Sequence, residues 1–345
     1  MIKAIFYALA AAVFYAVSTP LSKLFLNSVP ATFMAAFLYL GAGAGVGIMY
    51  LFRYKKEIPE EKLQRSDFPY TLGMILLDTA APVFLMFGIK LGSASNASLL
   101  GNFEIVATTL IALLVFRETV TKKLWIAIGL ITASSIILSF EGTGSFGFSY
   151  GSLLVLLATA CWGLENNCTR KISGRSTYEI VVLKGIFSGG GAFIIALLLG
   201  EEMPQIKYAA LIMLLGFVSY GLSIFLYIRA QNTLGAAKTS AYYAVAPFVG
   251  AFLSFLLLRE RLTGSFVFAL VIMLVGTAFV VWDTITRHHR HGHVHVITHT
   301  HNGIPHTHTI EHYHGHDHYL KHEEHSHRHS RQELLEEFGH ESINR

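Results

Sequence analysis

Apolar side chains in this chain do not recur at the period of an amphipathic surface element. They run in long blocks, and the blocks end near residue 284. A helix that crosses a ~30 Å hydrocarbon core needs about 20 predominantly apolar residues. Ten blocks of that kind lie near 3–26, 31–52, 68–89, 94–116, 123–140, 149–170, 179–199, 208–230, 236–258 and 264–284. Each predicts one membrane-spanning helix. The first block has Pro20 and Lys23 near its end and no small-residue cleavage site behind a short apolar core, so it is expected to remain as a helix and not to be a signal peptide. Beyond residue 287 the pattern becomes an alternation, HGHVHVITHTHNGIPHTHTIEHYHGHDH over 291–318, with histidine at nearly every second position. That is a strand pattern outside the apolar body.

The blocks repeat. EIVATTLIALLVFRETVT at 104–121 matches APFVGAFLSFLLLRERLT at 246–263 with a constant offset of 142 residues. LGSASNAS at 91–98 resembles LGAAKTSA at 234–241, and FYAVSTPLSKLFL at 14–26 lies over CWGLENNCTRKIS at 161–173, setting Lys23 against Arg170. The chain therefore divides into a first five-span repeat at 1–142, a second at 143–286 and a His-rich tail at 287–345. An odd number of spans makes the second copy start from the opposite side of the membrane, so an inverted repeat is expected, an architecture typical of transporters.

Composition agrees with the blocks. The 345 residues are 53% hydrophobic and 14% charged, where a soluble domain is about a quarter charged. The net charge of +4 is spread over loops, so it speaks of topology and not of nucleic acid. With the N-terminus in the cytoplasm, thirteen Lys and Arg fall in or beside inside loops and five, Lys23, Lys90, Lys207, Arg259 and Arg261, fall outside. Both termini are then cytoplasmic and the protein sits in the plasma membrane as a multi-pass chain. Cys161 and Cys168 both lie in the sixth block, so no extracellular disulfide framework is expected.

The LLVFRETVT and LLLRERLT ends of the fourth and ninth blocks, the CWGLENN start of the sixth and the ten-block, two-repeat layout resemble the drug/metabolite transporter superfamily, in particular its EamA-type branch. The resemblance covers about residues 3–284. It implies an all-α integral membrane bundle of ten helices with a substrate cavity between the repeats, alternating access, and export of a small metabolite, often driven by protons. It implies no enzyme. One departure concerns proline: the family often has proline after the acidic residue of the fourth span, where Ile105 follows Glu104 here, while the second copy has Pro247. Any hinge role is therefore expected in the ninth span.

A charge at mid-bilayer costs at least ~2.5–3.5 kcal/mol on insertion scales. Asp78, Glu104, Glu165 and Lys184 stand clear of the block ends, and Asn166 and Asn167 follow Glu165. One reading makes these six residues the substrate or ion pathway, with Glu104 or Glu165 as a proton or cation site. The other makes an Asp78–Lys184 or Glu165–Lys184 pair that fixes helix packing. Cys161, Glu165 and Cys168 fall on one helix stripe and form a candidate metal site. Glycines 41, 43, 45 and 47, with Gly185 and Gly189, are expected to let helices approach closely. Trp125, Trp162 and Trp282 are expected as interface anchors, and Arg117-Glu118 and Arg259-Glu260 as helix-end pairs.

In the tail, His291, His293, His295, His299 and His301 precede Asn302-Gly303, a strong hairpin signal. His306, His308, His312, His314, His316 and His318 follow it. A two-residue turn there sets 301 opposite 304, 299 opposite 306 and 293 opposite 312, placing the two histidine rows on one face. An isolated two-stranded hairpin is marginal in water, so the tail is expected to be mostly disordered unless metal staples it. Neutral imidazole suits Zn²⁺, Ni²⁺ and Co²⁺, and a histidine of pKa ~6.5 is mostly neutral at pH 7. SRQELLEEFG at 330–339 adds a short capped helix.

Two function classes follow, with no cofactor required. In the first, a secondary transporter exports a divalent metal (Ni, Co or Zn) that the tail collects. In the second, the cargo is an amino acid or other small metabolite and the tail senses metal or pH. A membrane-anchored metal buffer is a weaker third. The partners expected are the lipid bilayer and a small-molecule or ion substrate, without nucleic acid; a homodimer stays open.

Overall fold

The computed structural model describes residues 2–53, 62–116, 120–140, 149–172, 175–234, 239, 242–301 and 304–319. It divides into two units, Met1–Thr284 and Ile285–Arg345, taken separately below.

The first unit is helical throughout its spans. Helices α1 (Ile2–Ala16) and α2 (Ser18–Phe25) form one rod, followed by α3 (Ala31–Arg53), α4 (Phe68–Leu91), α5 (Ala94–Leu100), α6 (Phe103–Phe116) and α7 (Lys122–Ser139). The second repeat contributes α8 (Tyr150–Ile172), α9 (Thr177–Leu183), α10 (Gly189–Leu198), α11 (Ile206–Gly216), α12 (Ser223–Leu234), α13 (Ala246–Leu258) and α14 (Gly264–Ile285). Among the described residues, eight helical stretches are long and apolar enough to cross a bilayer. Two of the ten predicted blocks fall outside that set for different reasons. The helix α8 has 23 residues, about 34 Å at 1.5 Å per residue, but Glu165, Asn166 and Asn167 lower its hydropathy. The helix α13 is apolar and only 13 residues long.

Two spans are broken at matching places. In the first repeat the chain turns at Gly101 and Asn102 between α5 and α6; in the second it turns at Ala244 and Val245 before α13. Pro247 sits in the first turn of α13, where its missing N–H leaves no bond unmade. The first copy breaks without a proline, so both copies carry the break and a proline is not required for it.

Close helix approach rests on glycine. A β-carbon on Gly41 would lie 2.0 Å from the Met213 carbonyl oxygen, one on Gly43 2.8 Å from the Ile186 nitrogen, and one on Gly45 1.9 Å from the Phe217 ring. From the facing helices, Gly185 sits against Gly43, Gly189 against Leu40 and Gly216 against Leu38. Only Gly47 of the predicted row is loosely packed, with its nearest neighbour 3.9 Å away. The helices that α3 meets widen into π turns at Lys184–Ser188 and Phe217–Leu222. A π turn inserts an extra residue and re-aims the side chains on either side of it.

In the second unit, β1 (Thr286–His301) pairs antiparallel with β2 (Ile304–Tyr319), with His301 opposite Ile304, His299 opposite His306 and His293 opposite His312. The Asn302-Gly303 turn, the helix expected over 330–339, the Arg117-Glu118 pair and the side chains of the tail histidines lie outside the described residues.

Glycine contacts of this kind predict an asymmetric response to added volume. Gly43→Leu is expected to cost about 1–3 kcal/mol, read as a lower unfolding temperature in detergent micelles. Gly129→Ala, whose β-carbon would meet nothing within 4 Å, is expected to leave that temperature unchanged or raise it.

Candidate substrate site

The six polar residues singled out from the sequence come together at the centre of the bundle. Asp78 on α4 is fully buried and Glu165 on α8 is 2% exposed. Between them Lys184, the first residue of the π turn after α9, places Nζ 3.0 Å from Asp78 Oδ2 and 3.1 Å from Glu165 Oε1. The two alternative ion pairs are thus one triad, with the lysine shared. Tyr39 on α3 donates to Asp78 Oδ1 at 3.1 Å and receives a bond from Trp162 Nε1 at 3.4 Å. Thr169, one turn on from Glu165, donates to the same oxygen that Lys184 meets.

Glu104 stands apart from the triad. It lies in the first turn of α6, just past the break at Gly101 and Asn102. Asn166 Nδ2 donates to its Oε1 at 2.7 Å and to Thr108 Oγ1 at 3.3 Å. A neutral amide is therefore its recorded side-chain partner, and the residue is only partly buried. Asn167 takes a different role from the one expected. Its amide donates to the backbone carbonyls of Thr108 at 3.2 Å and Gly163 at 2.8 Å, and it is 2% exposed. It joins α8 to α6.

The three residues of the cysteine stripe do not gather at one point. Among the described residues no three His, Cys, Asp or Glu side chains gather as a metal-holding group. Glu165 is taken by Lys184 and Thr169, Cys161 packs against the apolar core, and a β-carbon on Gly73 would lie 3.2 Å from Cys168 Sγ. Cys168 is a packing residue against α4.

A set of tyrosines adjoins the carboxylates, and the sequence reading missed it. Tyr220, in the second π turn, stands between Tyr39, with ring centroids 5.4 Å apart, and Tyr15 on α1, at 5.8 Å. Tyr15 also meets Tyr243 at 6.0 Å, and Tyr243 meets Tyr227 at 5.2 Å. The row begins at the triad, where Tyr39 bonds to Asp78, and runs from there through Tyr220 to Tyr15 and Tyr243. The available signal was weak: a tyrosine in an apolar block reads as an interface residue. Trp162 was misread in the same way. It is 8% exposed and bonded to Tyr39, whereas Trp125 and Trp282, at 48% and 43%, are exposed as expected of interface residues.

Both halves of the chain build this centre, and both halves match one known family. The model of the EamA-like transporter family fits residues 2–140 and again 149–282. The chain belongs to the EamA-like transporter family, within the drug/metabolite transporter superfamily. An uncharacterized transporter of Methanothermobacter thermautotrophicus is 28% identical over 300 residues, covering 79% of this chain and 84% of its own. A crystal structure of a protein 15% identical to this EamA-like chain has a TM-score of 0.61 over 81% of this chain and 96% of that one, a likeness in fold alone. As a member of this family the protein is a multi-pass membrane transporter, and the buried polar centre is where its two repeats meet.

Removing one member of a buried ion group leaves its partner charges unpaired, typically a loss of ~3–5 kcal/mol. Lys184→Met is expected to lower stability by about that amount in detergent unfolding. Adding Asp78→Asn to it should recover part of the loss, because the two changes are coupled. Equal and additive losses would show that the triad is not a unit.

Proposed function

We propose that this EamA-like protein is a secondary active transporter with ten spans in two inverted repeats, both termini cytoplasmic, which exports a small organic solute bearing an ammonium group across the plasma membrane. The observation that carries the reading is the charge of the centre. Three carboxylates, Asp78, Glu165 and Glu104, face a single lysine, and that lysine is already bonded to the first two. Glu104 is bonded instead to the neutral amide of Asn166, and the row Tyr39, Tyr220 and Tyr15 that starts at Asp78 supplies ring faces of the kind that attract organic cations. In this scheme Glu104 holds the cargo's ammonium or a proton, but not both, which couples export to a proton moving inward. The triad keeps α4, α8 and the π turn in register around it.

An amino acid or other amine metabolite fits this site better than a bare divalent ion. Transition metals need several ligands converging on one point, and no such group of His, Cys, Asp or Glu forms among the described residues. The metal reading keeps one support, the histidine alternation of the tail, carried on strands that pair His299 with His306 and His293 with His312. We therefore assign Ni²⁺, Co²⁺ or Zn²⁺ to the tail as a sensing or buffering load and not to the pore as cargo.

Proteoliposomes carrying the full chain or residues 1–286, with an inward proton gradient, test this reading on a panel of amines, amino acids and the three metals. Proton-driven flux of an amine is expected, falling at least about tenfold in Glu104→Gln and persisting without the tail. Flux of a metal that requires residues 287–345 and survives Glu104→Gln would return the cargo to the ions.

A further inference from the structure

Four connections between helices lie on one face of the bundle, those after α2, α4, α10 and α13, and on that face two glutamates of the second repeat hold helix ends of the first. Glu201, which follows α10, accepts from the Thr32 N–H at 3.3 Å and the Phe33 N–H at 3.1 Å, at the start of α3. Glu260, which follows α13, accepts from the Ala94 N–H at 2.7 Å and the Ser95 N–H at 2.9 Å, at the start of α5. Arg259 has a left-handed backbone, φ 53°, and no other non-glycine residue among those described has a positive φ. That turn ends α13 and swings Glu260 across to the other repeat. From α2, Lys23 Nζ donates to the carbonyls of Ile89 at 2.5 Å, Gly92 at 2.6 Å and Lys90 at 3.3 Å. The chain between α4 and α5 is thereby held at both ends by opposite charges.

We infer that Glu201 and Glu260 form a two-point gate that closes this face of the transporter, releasing the starts of α3 and α5 together when the repeats move apart. The inference rests on the transporter reading above. Chemistry favours a latch here and not at the centre. A carboxylate on the free N–H groups of a helix start is held by charge-assisted bonds and by the helix dipole. Both glutamates are only partly buried, so water can take over those bonds at small cost when the latch opens. The Asp78–Lys184–Glu165 triad has no such exchange available. With the orientation that the charge asymmetry of the loops predicts, the latched face is the outer one.

A pair of independent helix caps would show the same bonds, and amide hydrogen exchange separates the two cases. It is measured on the full chain in lipid nanodiscs, over segments 30–34 and 92–96. In Glu260→Gln, exchange is expected to rise roughly tenfold at 94–95, the order of effect of a lost cap, and to rise at 32–33 as well. Glu201→Gln should do the converse. Glu179→Gln removes the charge and one of the two oxygens that accept from the Tyr50 hydroxyl and the Leu63 N–H, away from these four connections, and should accelerate neither segment. A rise confined to the segment whose own glutamate was changed overturns the gate. If either glutamine variant fails to fold, Glu201→Asp and Glu260→Asp carry the same comparison, because the distant segment must follow the near one. Exchange is read without cargo, so coupled opening stands or falls separately from flux: a failed transport assay with coupled exchange rejects the transport reading alone.

Discussion

An ionised carboxylate in the middle of a bilayer has no water to solvate it, so every such group must find a proton, a counter-charge or a dense set of donors. Asp78 and Glu165 solve this with one shared ammonium, Lys184, and with the hydroxyls of Tyr39 and Thr169. The solution ties α3, α4, α8 and the segment after α9 to a common point. Helices that converge on a buried ion triad cannot slide past one another without exposing a charge to hydrocarbon. The arrangement of the rest of the core follows from that restriction.

Convergence requires backbones to come closer than ordinary side chains permit. Glycines on α3 and on the helices facing it remove the obstructing β-carbons, and the π turns at Lys184–Ser188 and Phe217–Leu222 aim Lys184 and Tyr220 into the centre. With no hydrophobic driving force between helices inside lipid, such packing and the interhelical hydrogen bonds supply the association. The bonds from Asn167 to the Thr108 and Gly163 carbonyls are of this kind. Beside the triad, the break at Gly101 and Asn102 leaves Glu104 in the first turn of α6, bonded to Asn166. Polar contacts at the membrane surface are of another sort. Glu201 and Glu260 are only partly buried and accept backbone N–H bonds, which sets these caps apart from the triad.

The spans were legible because each of them, taken alone, must be apolar over a fixed length, and that demand leaves a mark on the sequence that needs no partner. The two repeats were legible for the same reason: Glu104 to Thr121 and Ala246 to Thr263 can be laid side by side without knowing where either goes. The intramembrane Asp78, Glu104, Glu165 and Lys184 stood out as expensive residues. What they do to one another did not, since whether Lys184 pairs with one acid or bridges two depends on a π turn that no local pattern announces. Tyr15, Tyr39, Tyr220 and Tyr243 were invisible because a tyrosine is equally at home at an interface, and only contact between distant spans distinguishes the two. The Cys161, Glu165 and Cys168 stripe shows how spacing along one helix is overlaid by neighbours on others: Glu165 is bonded to Lys184 and Thr169, and Cys161 packs on the apolar core.

Sequence alone therefore determined that this chain crosses a membrane many times, that it is built from two related halves, that a few ionisable residues are buried within it and that a histidine-rich strand pattern follows. These are properties of one segment against its solvent. Tertiary structure decided that three of those charges form a single triad, that Glu104 is bonded to an amide, that a row of tyrosine rings runs from Asp78, that Trp162 belongs to the core, and that Glu201 and Glu260 reach across to the other repeat. These are contacts between residues from 19 to well over a hundred positions apart, and their energy depends on distances that exist only once the helices have packed.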